Sequence, residues 1–149
     1  MKTEVGNDST PRGTCRYKLW EWCSGSATLS AAAAKKGLAV GPPIDFRTGW
    51  NLKRDRDQRI LVNAILEQGV GTLILEPSCR NWGANSKGKP EPQKTWDRRS
   101  DFGVLTFMVV ASVLTLCLGG DVIIENPRAS DIFEGSPLAL LKDLSLIHI

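Results

Sequence analysis

Short apolar runs of strand type alternate with helix-period segments along most of this chain. That alternation restricts it to an α/β architecture with a mainly parallel sheet and right-handed crossovers. Two of the runs carry chemistry. Leu73-Ile74-Leu75 leads into Glu76-Pro77-Ser78-Cys79, and Val122-Ile123-Ile124 leads into Glu125-Asn126-Pro127. Each sets a reactive side chain, Cys79 or Glu125, at the carboxyl end of an expected buried strand, the edge at which open α/β sheets bind ligands. A thiol and a carboxylate delivered to one edge suggest a nucleophile and an acid sharing a substrate.

The periodicity predicts a first strand over residues 17–23, a helix through the alanine run to Lys36 with Gly37 as its C-cap, and a short second strand over 38–40. A helix is expected over about 54–68, where Ile60, Leu61, Ala64, Ile65 and Gln68 recur at helical spacing, and a third strand over 72–75. Residues 80–95, with Gly83, Gly88, Pro90 and Pro92, read as a long loop, which in a small domain is functional or disordered. An apolar helix to about Leu118, a strand over 121–124 and a short helix near Ser136-Pro137 complete the order. Residues 1–16 are polar, with no apolar run of signal-peptide type, and are expected to form a disordered tail.

The stretch 102–120 holds 19 residues without a charge, close to the length of a membrane span. A helix buried against a sheet is the competing explanation, and the α/β-type segments on both sides favour it. At 149 residues, 42% apolar and 23% charged, the chain has the composition of one globular domain. Its net charge of +3 is unevenly spread. From Arg80 to Arg99 six Lys/Arg face two acids, whereas from Asp121 onward five acids outnumber two bases. A basic loop beside Cys79 suits a polyanionic partner; a solvated loop accounts for it as well.

Cys15, Cys23, Cys79 and Cys117 have no metal-type spacing, and the lone histidine, His148, stands next to the end. No metal site and no histidine-assisted catalysis are expected. Reduced thiols in apolar contexts point to an intracellular location, nuclear or cytoplasmic. In the turn after the first strand, Ser24-Gly25-Ser26 is small enough to let a ligand approach the backbone N–H groups of the next helix, although an ordinary tight turn looks the same. Asp45, just past the second strand, is placed to accept hydrogen bonds from ribose hydroxyls or simply to cap a turn.

Taken in order, Glu21-x-Cys23-Ser24-Gly25-Ser26, Pro43-Ile44-Asp45, Gly49-Trp50-Asn51-Leu52, Pro77-Ser78-Cys79 and Glu125-Asn126-Pro127 resemble the motifs of the DNA cytosine-C5 methyltransferases. More closely, the series is similar to compact methyltransferase-like segments of mobile-element polyproteins. The resemblance spans residues 19–128. It implies a Rossmann-like, mainly parallel sheet with helices on both faces, incomplete at the C-terminus, and S-adenosylmethionine as cofactor. Ser24, Gly25 and Ser26 would line the cofactor's methionine portion with Pro77 close by; Asp45 would hold the ribose, and Asn51 would sit near the adenine. Cys79 matches the nucleophile and Glu125 the acid of the family's Glu-Asn-Val motif.

Cytosine C5 is too weak a nucleophile to take a methyl group unaided. Thiolate addition at C6 makes the ring enamine-like, and a carboxylic acid at N3 stabilises the developing charge. Cys79 then calls for a lowered pKa, with Arg80 adjacent, and Glu125 for enough burial to stay protonated. The target base must leave the duplex, and Trp82 or Trp96 could stack on it or simply pack. DNA, or RNA, is the expected partner, with Arg80, Trp82, Lys87, Lys89 and Lys94 as contacts.

The chain departs from the family at named positions. Ala27 and Thr28 stand where the family has glycines, Ser78 and Arg80 replace a proline and a glutamine, and Asn51 replaces an acid. Later family motifs and the target-recognition domain are not expected before Ile149, and 145–149 resembles adapter-derived translation. A non-catalytic nucleic-acid-binding module retaining the fold, and more weakly a membrane-associated protein, are the competing readings.

Overall fold

The computed structural model describes residues 15–143; the expectations for 1–14 and 144–149 lie outside them. In chain order the elements are β1 (Tyr17–Trp22), α1 (Thr28–Lys35), a 3-10 turn (Phe46–Thr48), α2 (Asp55–Gln68), β2 (Val70–Leu75), a second 3-10 turn (Ala84–Ser86), α3 (Glu91–Cys117), β3 (Asp121–Ile124), α4 (Ile132–Gly135) and α5 (Ala139–Asp143). The three strands form one parallel sheet in the order β1-β2-β3. The fold is therefore mixed α/β, as the alternation requires.

Side-chain alternation along β1 shows that both faces are covered. Glu21 points to one face, where Ser30 of α1 donates to it. Trp20 and Trp22 point to the other, where Trp22 stacks on Phe107 of α3 with ring centroids 5.8 Å apart. Buried apolar residues from β1, β2 and α3 meet in one core, joined by Leu61 and Ile65 of α2 and Ile132 and Leu138 near the end of the described chain. A strand buried on both faces reads as near-continuous apolar sequence, which is why Leu73-Ile74-Leu75 shows no alternation.

The expected strand over 38–40 is not a ladder strand. Val40 and Ile44 make isolated parallel bridges to Leu19 and Trp22, and the segment follows β1 through Lys18 N–H to Ala39 O (2.8 Å) and Cys23 N–H to Ile44 O (2.7 Å). Pro42 and Pro43 fall between the two bridges and have no N–H to donate, so the ladder cannot close. Gly41 is required there: a Cβ would sit 2.4 Å from the Trp20 ring.

The long loop is also shorter than expected, because α3 begins at Glu91. Pro92 lies in the first helical turn, where no N–H partner is needed, and Glu91 favours the positive end of the helix dipole. α3 is long and apolar enough to cross a membrane by length and composition. In the structure, Leu105, Met108, Ala111, Ser112 and Thr115 form a buried stripe along it. At the amino end, Arg16 is held to the last residue of α2, its N–H and its guanidinium both donating to Gln68. Arg16, the last residue of the expected tail, is thus tied to α2.

Candidate active site

Strand register decides what shares an edge. Trp22 pairs with Leu75, and Leu75 with Ile124, so the residues that follow them emerge level. Glu76 N–H donates to Trp22 O (3.0 Å) and Glu125 N–H to Leu75 O (2.9 Å), which carries the alignment one residue past the strands. The turn 23–27 and the loops from Glu76 and Glu125 therefore leave the sheet side by side.

The turn after β1 is strained. Cys23 (φ 64°) and Ala27 (φ 49°) hold left-handed backbone, with Gly25 (φ 64°) between them. Each of the two non-glycine residues costs about 1–2 kcal/mol in that region. The Asp45 carboxylate reaches across to this turn, accepting Gly25 N–H at 3.0 Å through one oxygen and Arg47 N–H at 2.9 Å through the other. Ser26 is bonded to Thr28 through their hydroxyls (2.8 Å).

Two adjoining spaces open here. One, of about 290 Å³, is bounded by Cys23, Asp45, Phe46, Pro77, Ser78 and Asp101 over a floor of α3 residues. The other, of about 160 Å³, shares Cys23, Asp45 and Phe46 and extends to Trp50 and Asn51. The structure thus brings Asp45, Asn51 and Pro77 to one cleft. Asn51 is partly committed, its Oδ1 accepting Lys53 N–H and its own N–H donating to Asp57. A larger open groove of about 820 Å³ lies between α2 and α3. It collects helix-surface residues rather than strand-end groups, so the smaller cleft is the better candidate.

Cys79 and Glu125 occupy neighbouring strand-end loops, but neither lines the cleft. The loops are tied together by Asn126 Nδ2, which donates to Pro77 O at 2.7 Å, while Asn126 Oδ1 is buried without a partner. Cys79 is half-buried and its carbonyl accepts N–H groups from Trp82 and Gly83. Glu125 is exposed, so the burial asked of it is absent from this chain.

The carboxyl whose acidity the fold weakens is Glu76. Burial, the hydrogen bond with Glu21 and the charges of Glu21 and Glu125 push it up to about 7. Glu21, only 2% exposed, is also pushed up by burial. Hydrogen bonds from the Ser30 hydroxyl and N–H, and from Glu76, outweigh that and hold it below the usual range. Burial, with Asp45 and Glu76 adding to it, raises the Cys23 thiol to about 12, so Cys23 is an inert cleft wall rather than a second nucleophile.

Three expected nucleic-acid contacts take a different role. Trp82 is 0% exposed. It stacks on Phe102 (6.2 Å), lies 4.9 Å under the Arg98 guanidinium and donates its Nε1–H to Asp101 (3.1 Å), so it packs and cannot meet a base. Trp96, on α3, is the exposed one. Lys94 is a helix residue paired with Glu91 (2.7 Å), and Lys89 is paired with Asp97 (2.6 Å), which the Lys89 and Gln93 hydrogen bonds hold below the usual carboxylate range. Of the six bases from Arg80 to Arg99, only Arg80, Lys87 and Arg99 have no ion pair among the described residues.

Glu76, Phe46 and Asp101 carry no role in the sequence reading. A carboxylate directly after a buried apolar run is the available signal for Glu76. Phe46 directly follows Asp45 and stands 80% exposed at the cleft mouth, free to cover a planar ring. Asp101 ends a charged segment just before the apolar run and is placed only by the tertiary fold. Comparison with protein-family models, with curated proteins and with solved structures gives no match.

Proposed function

We propose that this chain is an S-adenosylmethionine-dependent methyltransferase-like domain of the cytosine-C5 type, built on a Rossmann-like sheet, with Cys79 as nucleophile and Glu125 as acid. The observation that carries this reading is the level exit of three parallel strands. It brings Pro77, Cys79 and Glu125 out at the same edge, where Pro77 shares one cleft with Asp45 from the bridged segment beside β1.

The residues present fit a nucleoside with a charged tail. The cleft and its annex together fall at the small end of ligand sites, about 300–1,000 Å³. They offer an apolar floor, an exposed ring at Phe46 and a carboxylate at Asp45. Glu21, held below the usual carboxylate range, and the Asp45 carboxylate give this edge a negative field suited to a cationic ligand. Bound S-adenosylmethionine would supply an electrophilic methyl group on a sulfonium. Asp45 would accept from the ribose, Phe46 would cover the base, and the turn with Ser24, Gly25 and Ser26 would face the methionine portion. Cys79 would add to C6 of a cytosine in DNA. Glu125, exposed in the chain alone, would gain its burial from the substrate itself.

Titration calorimetry with S-adenosylhomocysteine tests the cofactor claim, and absence of heat from folded protein at millimolar ligand would sink it. An oligonucleotide containing 5-fluorocytosine should form a covalent adduct that Cys79→Ala abolishes. A second reading, a nucleic-acid-binding module without catalysis, is favoured by the unpaired Arg80, Lys87 and Arg99 on one segment. It expects salt-sensitive DNA or RNA binding that survives Cys79→Ala and Glu125→Ala.

A further inference from the structure

The loop that carries Cys79 has no regular structure of its own between Glu76 and the 3-10 turn Ala84–Ser86, yet one side chain on α3 fixes it. Asp101 Oδ2 accepts Asn81 Nδ2–H at 3.0 Å and Trp82 Nε1–H at 3.1 Å. Both donors lie within three residues of Cys79. Trp82 N–H in turn donates to the Cys79 carbonyl (3.0 Å), so the chain of bonds runs from Asp101 through Trp82 to the backbone of Cys79 itself. Arg98, one turn earlier on α3, completes the support. Its Nε–H donates to Asn81 O (3.1 Å), and its guanidinium lies over the Trp82 ring and pairs with Asp131. Asp101 also forms part of the cleft wall, together with Asp45 and Ser78. A single carboxylate therefore borders the cleft and holds the nucleophile's loop.

We propose that Asp101 is the positioning residue for Cys79: it locks the 79–82 loop in the conformation that presents the thiol at the strand-end edge. Calling Cys79 the nucleophile rests on the function proposed above, but the geometry of the lock does not. One acceptor oxygen serving two donors is what distinguishes this lock from ordinary packing. An amide oxygen in the same place can accept both bonds, whereas a methyl group can accept neither.

Per-cysteine alkylation of the full-length protein with iodoacetamide, followed by mass spectrometry, tests this. Cys23, inert in the folded cleft, serves as internal control, since labelling there rises only if the fold loosens as a whole. Asp101→Ala should raise the Cys79 rate about tenfold, the change expected when a loop loses a net hydrogen bond or two, while Cys23 stays at its wild-type rate. Asp101→Asn should restore the wild-type Cys79 rate. An unchanged Cys79 rate in folded Asp101→Ala would overturn the proposal. So would a parallel rise at Cys23 and Cys79, which reports general loosening, or an Asn variant that behaves like Ala. No cofactor enters this readout. Failure of the methyltransferase reading shows separately, as missing heat with S-adenosylhomocysteine in the wild-type protein.

Discussion

Raising the pH from 5 to 8 should destabilise this protein, and the cause should be one proton on Glu76. In the folded chain Glu76 titrates near 7 because it is partly buried, shares a hydrogen bond with Glu21 and faces the charges of Glu21 and Glu125. In the unfolded chain it returns to its ordinary value of 4.5. A group whose folded pKa is raised contributes stability that is present in full below the unfolded value and is lost as pH climbs through the folded one. The window is therefore pH 4.5 to 7. Across it the native state holds one proton more than the unfolded state, and the slope cannot exceed about 1.4 kcal/mol per pH unit. Because Glu76 is half-exposed, solvent reduces that limit, and a total loss of roughly 1–2 kcal/mol is expected. Glu21 acts in the opposite sense. Its pKa is lowered, so its contribution is present above 4.5 and fades only as pH falls below that, outside the window. Urea midpoints at half-unit steps between pH 5 and 8 measure the effect. Carrying His148→Gln in every sample removes the single histidine from the titration. Glu76→Gln keeps a donor for Glu21 without a titrating proton, so its midpoint should stay level over the same range. A flat wild-type profile, or an identical slope in Glu76→Gln, would refute the shared-proton account.

Ala27→Gly should stabilise the fold by about 0.5–1 kcal/mol: relief of left-handed strain at φ 49° exceeds the added chain entropy of glycine. Urea denaturation reads the gain, and a loss would show that the turn needs its Cβ. Trp82→Ala should cost about 3–5 kcal/mol, since it empties a fully buried indole site and orphans Asp101. Thermal melts measure it; a change under 1 kcal/mol would contradict the burial. Neutralising Arg80, Lys87 and Arg99 together should lower the salt slope of any DNA binding by about two to three, roughly one for each phosphate left without its cation. The same change at Lys89 and Lys94, which are already paired within the chain, should alter the slope far less. Fluorescence anisotropy at several salt concentrations separates the two sets.

Elements whose apolar residues repeat without interruption are readable from sequence. β2, β3 and α2 fall within two residues of their expected bounds, since Leu73-Ile74-Leu75, Val122-Ile123-Ile124 and the Leu61/Ile65 spacing leave one periodicity in each case. Prolines account for the misplacements. Pro42 and Pro43 interrupt a strand-like stretch from within, whereas Pro90 and Pro92 open a helix, and a proline has the same local appearance in both settings. The helical turn α4 escapes a sequence reading because four residues give no period to follow. At the site, the strand-end position of Cys79 and Glu125 is legible, and so is the place of Asp45. Whether a tryptophan faces solvent or a neighbour is not, because it depends on Phe102, Arg98 and Asp101, which approach Trp82 only after α3 has docked.

β3 closes one side of the sheet, and its outer row of peptide groups has no strand beside it among the described residues. Ile123 stands 52% exposed on that strand, and Asp121 is the one charge along its four residues. Exposed edges in lasting monomers are generally broken by a bulge, a lysine or a proline. None of these devices occurs within β3, since Pro127 and Arg128 come too late to interrupt it. The consequence is colloidal rather than catalytic. Prepared by itself, the chain should associate through this border as its concentration rises, and Ile123→Lys should hold it monomeric in light scattering without altering the cleft at the far end of β1.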